Sequence, residues 1–284
     1  MKQLLIIIAA VVLRKNSTMR RLIFNLIVVA VALTLTGCAK YKKPTTTPVA
    51  ERIDLDKHPA HIVSAFFGLD NALPRGRDGM PVTFSRRVEG ALDPTAFTVV
   101  TRSGIRLHPT FATTRPAHET AKRHTVLLIG ELGSEPEDPP VKVEITGHLI
   151  LAGGTDAHGM SAPVTPLSDG PSLVLAYAAQ HEQIDSDCPP ETKQIIVVIW
   201  AGGVRPMPGV THDAHRLGYS VATEDGEVTP IGLGNLGDGD NYEHLYLDTA
   251  AIPLRVSMKG GLLMDPRNDP NPMTSVDIAI TSQP

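Results

Sequence analysis

The chain has 284 residues, of which 42% are apolar and 20% charged, and this balance excludes an intrinsically disordered polar chain. Its 24 glycines and 24 prolines argue against long helices and favour many turns and short strands. A net charge of -4 and an aromatic content of 4% exclude a typical nucleic-acid-binding protein. Two cysteines are too few for a disulfide-dense scaffold or a multi-cysteine zinc site.

The N-terminal segment, residues 1–37, carries five basic residues and no acidic residue. Its two apolar runs are each shorter than the roughly 18–20 residues that a membrane-spanning helix needs. From Met19 onward, two arginines, an apolar core and the tetrapeptide Leu35-Thr36-Gly37-Cys38 follow one another as in a secretory signal. We therefore predict a signal peptide over residues 1–37. Because a second apolar run precedes this complete signal, we expect translation to start at Met19.

The tetrapeptide that ends at Cys38 resembles the bacterial lipobox. The resemblance implies that the Cys38 thiol is diacylated, that the signal is cut before Cys38 and that the new amino group is acylated. Several acyl chains anchor a protein stably, whereas one chain binds a membrane only marginally. The alternatives are an ordinary cleaved signal with an incidental cysteine, or an uncleaved membrane anchor.

The residues that follow Cys38 predict where the mature protein is located. Ala39, rather than aspartate, follows the lipidated position and favours the outer membrane of a Gram-negative cell envelope. In a Gram-positive organism the anchor would lie in the plasma membrane instead. Residues 38–58 are rich in lysine, threonine and proline and predict an extended, lipidated linker. Removal of residues 1–37 with their five positive charges leaves an acidic body of net charge -9.

Residues 59–180 alternate short apolar runs with turn signals, and no amphipathic helix is evident. Strict period-two spacing occurs at Val141, Val143 and Ile145, as a half-buried strand requires. This pattern predicts an all-β sandwich. The predicted strands of this segment are 61–69, 81–85, 96–101, 105–111, 124–129, 141–145, 148–151 and 172–177.

The stretch from Pro81 to Val99 resembles the bacterial Ig-like repeat of surface-layer and adhesion proteins. In those repeats an apolar-x-Phe-Ser strand is followed by Asp-Pro and a Phe-x-Val strand, as it is here. The resemblance implies an Ig-like β-sandwich over residues 59–180 and implies no particular activity. Arg86 and Arg87 depart from the pattern, because the repeats often carry an acidic residue or proline there, and the acidic loop 131–140 is atypical.

Residues 190–284 form the second predicted unit and are also β-rich. The continuous apolar run Gln194–Trp200 predicts a central strand that is covered on both faces. This unit is either a second sandwich, which we favour, or a set of strands that completes one larger assembly. Its further predicted strands are 219–221, 228–231, 244–247, 254–258 and 276–280.

Two acidic loops of the second unit offer oxygen ligands for a metal ion. Calcium takes six to eight hard oxygen ligands, and glycine-rich turns let carboxylates converge. An EF-hand is excluded because the loop lacks the required glycine and glutamate positions. The alternative is an acidic turn, since Asp, Asn and Gly dominate turns for conformational reasons alone. The candidate calcium ligands are Asp238, Asp240, Asn241, Asp265 and Asp269.

A histidine pair provides a second candidate metal site. His212 and His215, with His244 or Asp213, offer nitrogen and oxygen ligands, but three or four fixed groups are needed. We interpret the pair as solvated residues of an exposed loop. The sequence thus favours a non-enzymatic, lipid-anchored cell-envelope protein, which either binds an envelope protein partner or serves as a structural module. The alternative is a metal-binding or metal-dependent hydrolytic lipoprotein that uses the acidic and histidine-bearing loops of residues 205–271.

Overall fold

Strands and turns make up almost all of the computed structural model, which describes residues 58–68, 77–117, 122–166, 168–179, 188–237 and 240–279. All of these residues belong to one compact unit. The predicted signal peptide, Cys38, the linker up to residue 57 and Asp238 lie outside the described residues. No helix in the described part of the chain has the length and apolar character needed to cross a bilayer. The prediction of an all-β chain is confirmed.

The N-terminal region, which we define as residues 62–163, contains two four-stranded antiparallel sheets in the orders β1-β2-β6-β5 and β10-β7-β3-β4. Their inner faces share one apolar core, to which Phe84 and Val126 contribute from one sheet and Phe97 and Val143 from the other. This packing is the sandwich that the alternating pattern predicts. The strands are β1 Ile62–Ala65, β2 Asp78–Phe84, β3 Phe97–Thr101, β4 Arg106–Leu107, β5 Phe111–Thr113, β6 Thr125–Gly130, β7 Pro140–Ile145, β8 Ile150–Leu151, β9 Thr155–Asp156 and β10 Ser161–Pro163.

The segment 105–111 was predicted as one strand, and that prediction is wrong. It forms β4 and the start of β5, which lie at the edges of different sheets. Pro109 interrupts the segment, because proline lacks the N–H that a continuous ladder needs. The chain therefore crosses from one sheet to the other at this point, and both edge strands lie on the same side of the sandwich.

The C-terminal region, which we define as residues 173–279, is built on one eight-stranded sheet in the order β15-β14-β18-β20-β11-β12-β17-β16. Only the contact between β11 and β20 is parallel. A separate pair, β13 and β19, lies beside this sheet. The strands are β11 Leu173–Ala179, β12 Gln194–Trp200, β13 Arg205–Pro206, β14 Tyr219–Thr223, β15 Gly226–Val228, β16 Gly232–Gly234, β17 Tyr242–Leu247, β18 Pro253–Met258, β19 Leu263–Met264 and β20 Thr274–Ala279.

Strand β12 lies between β11 and β17 and is covered on both faces, as its continuous apolar run predicts. Ile196, Val198 and Trp200 face one apolar cluster, whereas Ile195 and Val197 face another. Its neighbour β11 had been grouped by sequence with the Ig-like segment 59–180. Its hydrogen bonds to β12 and β20 place it instead in the C-terminal sheet. The division of the chain into two domains stays a prediction.

The eight-stranded sheet curls, so that strands far apart in its order come together. Tyr219 of β14 contacts Trp200 of β12 and Glu243 of β17, although three strands separate β14 from β12. The described residues contain one short α-helix, α1 His212–Arg216, which leads directly into β14. The curl therefore encloses an interior that the strand order alone does not reveal.

Candidate functional site

Asn241, one of the predicted calcium ligands, lies in a buried junction where the start of β6 meets the C-terminal sheet. Its side-chain amide donates to the carbonyl oxygen of Trp200 at 2.6 Å and to Thr125 Oγ1 at 3.4 Å. The backbone oxygen of Asn241 accepts from the Trp200 N–H at 2.8 Å. Asn241 thus connects the end of β12 in the C-terminal region with the start of β6 in the N-terminal region.

Asp265 and Asp269, two further predicted ligands, lie in the turn that follows β19. Asp265 Oδ1 accepts from the backbone N–H of Arg267 at 2.8 Å and of Asp269 at 3.0 Å. Burial raises the pKa of the Asp265 carboxyl group, and these two hydrogen bonds oppose the rise. This geometry matches the alternative given for the acidic loops, in which aspartate stabilises a turn.

The described residues contain no group of three or more His, Cys, Asp or Glu side chains that could hold a metal ion. Asp238 lies outside these residues, so the calcium site stays a prediction, as does the metal-dependent hydrolase. For Asp240 the structure gives a different neighbour. Its carboxylate faces the ammonium group of Lys122, with Nζ and Oδ2 separated by 3.5 Å.

Tyr242 holds the two sides of the junction together through its hydroxyl group. The oxygen accepts from the backbone N–H of His124 at 3.1 Å and of Thr125 at 3.0 Å, and its hydrogen is donated to the carbonyl oxygen of Lys122. Burial raises the pKa of the Tyr242 phenol above its ordinary value, so the group remains a donor. The backbone that leads into β6 is therefore bound to β17.

A triad of Lys122, Asn235 and Asp240 lies beside this hydroxyl group, with Lys122 and Asp240 buried and Asn235 partly buried. Lys122 Nζ donates to the side-chain oxygen of Asn235, and Asn235 Nδ2 donates to Asp240 Oδ1 at 3.0 Å. The side chains of Lys122 and Asp240 are only 7% and 1% exposed. Lysine is almost never buried to this extent unless it is paired. The triad is thus an amine, a carboxamide and a carboxylate in mutual contact.

Aromatic residues surround the triad on the C-terminal side. Tyr177, Tyr242 and Tyr246 are all buried, and the charge of Asp240 contributes to the raised pKa of Tyr177 after the larger effect of burial. Gly234, directly before Asn235, has no side chain because a Cβ atom there would collide with the Tyr246 hydroxyl group. The Tyr246 ring therefore packs closely against β16, beside Asn235.

A second buried polar network lies inside the curl of the C-terminal sheet. Trp200 Nε1 donates to the Tyr219 hydroxyl at 3.1 Å, which donates in turn to Glu243 Oε2. His215 Nε2 lies 3.3 Å from the same oxygen. Burial, and after it the Glu243 charge, raises the pKa of Tyr219 well above its ordinary value. The Glu243 carboxylate of β17 therefore contacts α1 through His215 and β14 through Tyr219, and Tyr219 in turn binds Trp200 of β12.

The interpretation of the histidine pair as part of an exposed loop is wrong for His215. His212 is exposed, but His215 is buried because α1 turns its imidazole toward Glu243. Thr211 caps the helix, since its side chain accepts from the Ala214 N–H at 3.1 Å. A capping threonine followed by Asp213 in the first turn and Arg216 in the last turn is a local signal that indicates this helix.

Other residues of these networks had no signal of their own in the sequence. Lys122 and Asn235 are 113 positions apart. Asn235 lies in the formal GxGxxG match Gly232–Gly237, but that pattern gives the asparagine itself no role. Glu243 lies in the acidic segment but was not selected as a ligand. Only the tertiary structure brings such residues together, because the contacts that join them are long-range.

A surface cavity of about 240 Å³ lies at the end of the N-terminal sandwich and is lined by Glu144, Thr146 and His158 among others. Nearby, His148 Nδ1 lies 2.6 Å from Asp156 Oδ2, and this contact is the largest cause that lowers the Asp156 pKa to about 2. Ile145 and Met160 also line the cavity, so its wall is a mixture of polar and apolar groups.

No protein-family model matches this chain, and no curated protein resembles it closely enough to count as a relative.

Proposed function

We propose that this chain is a lipid-anchored cell-envelope protein with a non-enzymatic structural or interaction role. The anchor is Cys38 in its lipobox-like tetrapeptide, which follows a basic and apolar signal segment. The acidic body then faces the aqueous space beside the bilayer, at the outer membrane if the cell is Gram-negative. Several acyl chains at one residue supply the affinity that a single chain does not.

The observation that carries the structural role is the buried junction between the two regions. The Tyr242 hydroxyl binds the backbone of His124 and Thr125, and the Asn241 amide donates to Thr125 Oγ1. Hydrogen bonds in such a dry site restrict motion, because an opened junction would leave buried polar groups unsatisfied. A body of this kind suits a rigid spacer or scaffold.

The interaction role is supported by the side of the sandwich where β4 and β5 lie. Ile105 and Phe111 are each 55% exposed, next to edge strands of only two and three residues. An edge strand carries unpaired N–H and C=O groups on its outer side, and a strand of a partner protein can pair with them. We therefore place the contact with an envelope protein partner at this edge.

Metabolic labelling with an alkyne-bearing palmitate tests the anchor. Label should enter the wild-type chain and should be absent from Cys38→Ser. Cys188→Ser is the matched control, because it removes the chain's other cysteine and should retain the label. Label that persists in Cys38→Ser, or that never enters the wild type, would contradict lipid attachment at Cys38.

Photo-crosslinking in intact cells tests the partner edge. A photoreactive amino acid at Phe111 should give a defined adduct of higher mass. The same amino acid at Met273, which is 84% exposed in the C-terminal region, should give none. Equal adducts at both positions, or no adduct at Phe111, would argue against the edge as the partner site.

A further inference from the structure

The triad of Lys122, Asn235 and Asp240 has the composition of a reactive centre rather than of an ordinary ion pair. It holds a nucleophile, an electrophilic carbonyl group and an acid–base group in contact, and the side chains of Lys122 and Asp240 are almost fully buried. From this geometry we infer that Lys122 and Asn235 form an intramolecular isopeptide bond, with Asp240 transferring the protons. This inference is independent of the lipid anchor.

The positions of the atoms suit this reaction. Lys122 Nζ touches the side-chain carbonyl oxygen of Asn235, so the amine is adjacent to the carbon that it must attack. The carboxylate of Asp240 faces both nitrogen atoms, with Oδ2 at 3.5 Å from Nζ and Oδ1 at 3.0 Å from the leaving Nδ2. Holding reactants together in this way replaces an encounter in solution by a contact within one molecule.

The backbone around the triad keeps Asn235 in place. Its Nδ2 also donates to the carbonyl oxygen of Tyr242 at 2.9 Å, and Asp240 Oδ1 accepts from the Tyr242 N–H at 2.7 Å. Asn235 has a φ of 59°, a left-handed conformation that asparagine tolerates better than most residues. The electrophile and the carboxylate are thus held by the same residue of β17.

The reaction needs no oxidant, reductant or cofactor. The Lys122 ammonium group gives one proton to Asp240, and the neutral amine then attacks Cγ of Asn235. A new Nζ–Cγ bond forms, the Cγ–Nδ2 bond breaks, and Nδ2 takes up a proton that is relayed from Nζ through Asp240. The products are a secondary amide and ammonia, and ammonia leaves as ammonium with the first proton. The carboxylate is regenerated.

The bond would join the two regions covalently across 113 positions of sequence. Lys122 precedes β6 of the N-terminal sandwich, whereas Asn235 follows β16 at one edge of the C-terminal sheet. A covalent link there would hold the junction closed even when its hydrogen bonds open.

Peptide mass spectrometry of the full-length chain, extracted in detergent, tests the bond. Trypsin cuts after Arg106, Arg216 and Arg255 but not after a lysine whose amine is bonded. We expect one species in which peptide 107–123 is joined to peptide 217–255, lighter than the sum of the two by about 17 Da, the mass of ammonia. Separate peptides 107–122 and 217–255 in the wild type, with Asn235 intact or deamidated, would overturn the inference.

Two variants test the roles of the residues. Asp240→Asn leaves the amine and the carboxamide in place and should give the separate peptides, whereas Lys142→Arg, a surface control, should give the joined species. If Asp240→Asn does not fold, Lys122→Arg still tests the bond: arginine keeps the charge but lacks the nucleophilic amine, so this variant should also give the separate peptides. A joined species in Asp240→Asn would overturn proton transfer by that carboxylate.

Discussion

The two regions of this protein close their cores in different ways. The N-terminal region packs two four-stranded sheets face to face over an apolar core. The C-terminal region instead curls one eight-stranded sheet, and its interior contains the network of Trp200, Tyr219, Glu243 and His215. In a sandwich, apolar side chains of two sheets suffice to fill the space. In a curled sheet, a few directional hydrogen bonds connect strands that are distant in the sheet order.

The junction between the regions combines apolar packing with directional polar contacts. Tyr242, Tyr246 and Val197 form an apolar cluster on the outer face of the curled sheet. Directly beside it lie the charged and amide groups of Lys122, Asn235 and Asp240. The comparison thus predicts that changes at the junction and inside the curl are costly, whereas changes to the surface ion pairs of the sandwich are not.

The largest effect is expected from loss of the proposed bond between the regions. Lys122→Arg should lower the free energy of unfolding by about 4–5 kcal/mol, because a cross-link that closes a loop of roughly 100 residues restricts the unfolded chain to that extent. Urea unfolding measures this loss. The fluorescence of Trp200, the only tryptophan, follows the C-terminal region, and far-UV circular dichroism follows both.

The matched control for that measurement is Lys142→Arg. Lys142 is 45% exposed and pairs with Glu144 on the surface. The unfolding midpoint of the Lys142→Arg variant should therefore stay within error of the wild type. Equal stability of Lys122→Arg and the control would contradict a covalent link between the regions.

Removal of the acceptor inside the curl should be nearly as costly. Glu243→Leu deprives His215 and the Tyr219 hydroxyl of their shared partner, and loss of one member of a buried polar pair costs about 3–5 kcal/mol. The same urea titration measures this effect. A loss below about 1 kcal/mol for the single variant would show that the network does not stabilise the curl.

The N-terminal side of the junction should give the protein a dependence on pH. Burial lowers the pKa of His124 from 6.5 to about 4, although the hydrogen bond of Nδ1–H to the Phe84 carbonyl oxygen opposes this shift. In the unfolded chain the imidazole takes up its proton near pH 6.5. Between pH 6.5 and about pH 4 the unfolded state therefore binds more protons than the folded state. The contribution of His124 to the free energy of unfolding is complete above pH 7. It falls by about 3 kcal/mol as the pH drops toward 4.

Urea titrations at several pH values measure the slope of the free energy of unfolding against pH. His124→Gln should flatten it, because glutamine can still donate to the Phe84 carbonyl oxygen but does not titrate. His212→Gln, at an exposed position, should leave it unchanged. A slope in His124→Gln equal to that of the wild type would assign the pH dependence to other groups.

The smallest effect is expected on the surface of the sandwich. Arg106 is 52% exposed and pairs with Glu144 at 2.6 Å, and hydrogen bonds from Lys142 and then Arg106 lower the pKa of that carboxyl group. Exposed ion pairs contribute about 0–1 kcal/mol, so Arg106→Ala should shift the unfolding midpoint only slightly. A loss of more than about 2 kcal/mol would mean that the sandwich, too, depends on polar contacts.

Several elements of the fold could be predicted from sequence because their signal is local. The run Gln194–Trp200 indicates a strand that is buried on both faces, and β12 has that position. The segment 105–111 was read as one strand because its apolar residues continue past Pro109, whereas the chain changes sheets there. The membership of β11 was also misjudged, because strand pairing depends on partners far along the chain.

The candidate site was predicted less well than the fold. Asp240 and Asn241 were selected as oxygen ligands, and the structure places both in the junction, where Asp240 faces a lysine. The sequence predicts a solvated His215, and this prediction is wrong because α1 directs the imidazole into the interior. Residue type indicates which groups can ionise, donate or accept, but the partner decides what each group does.

The sequence by itself determined the β-rich class, the alternation of buried and exposed positions and the tetrapeptide at Cys38, because each depends on neighbouring residues. Only the tertiary structure decided that one sheet curls, that Glu243 is enclosed and that Lys122 meets Asn235 and Asp240. The physical reason is distance along the chain. Contacts between residues more than 100 positions apart depend on how the strands of both regions pack, and no local pattern encodes that packing.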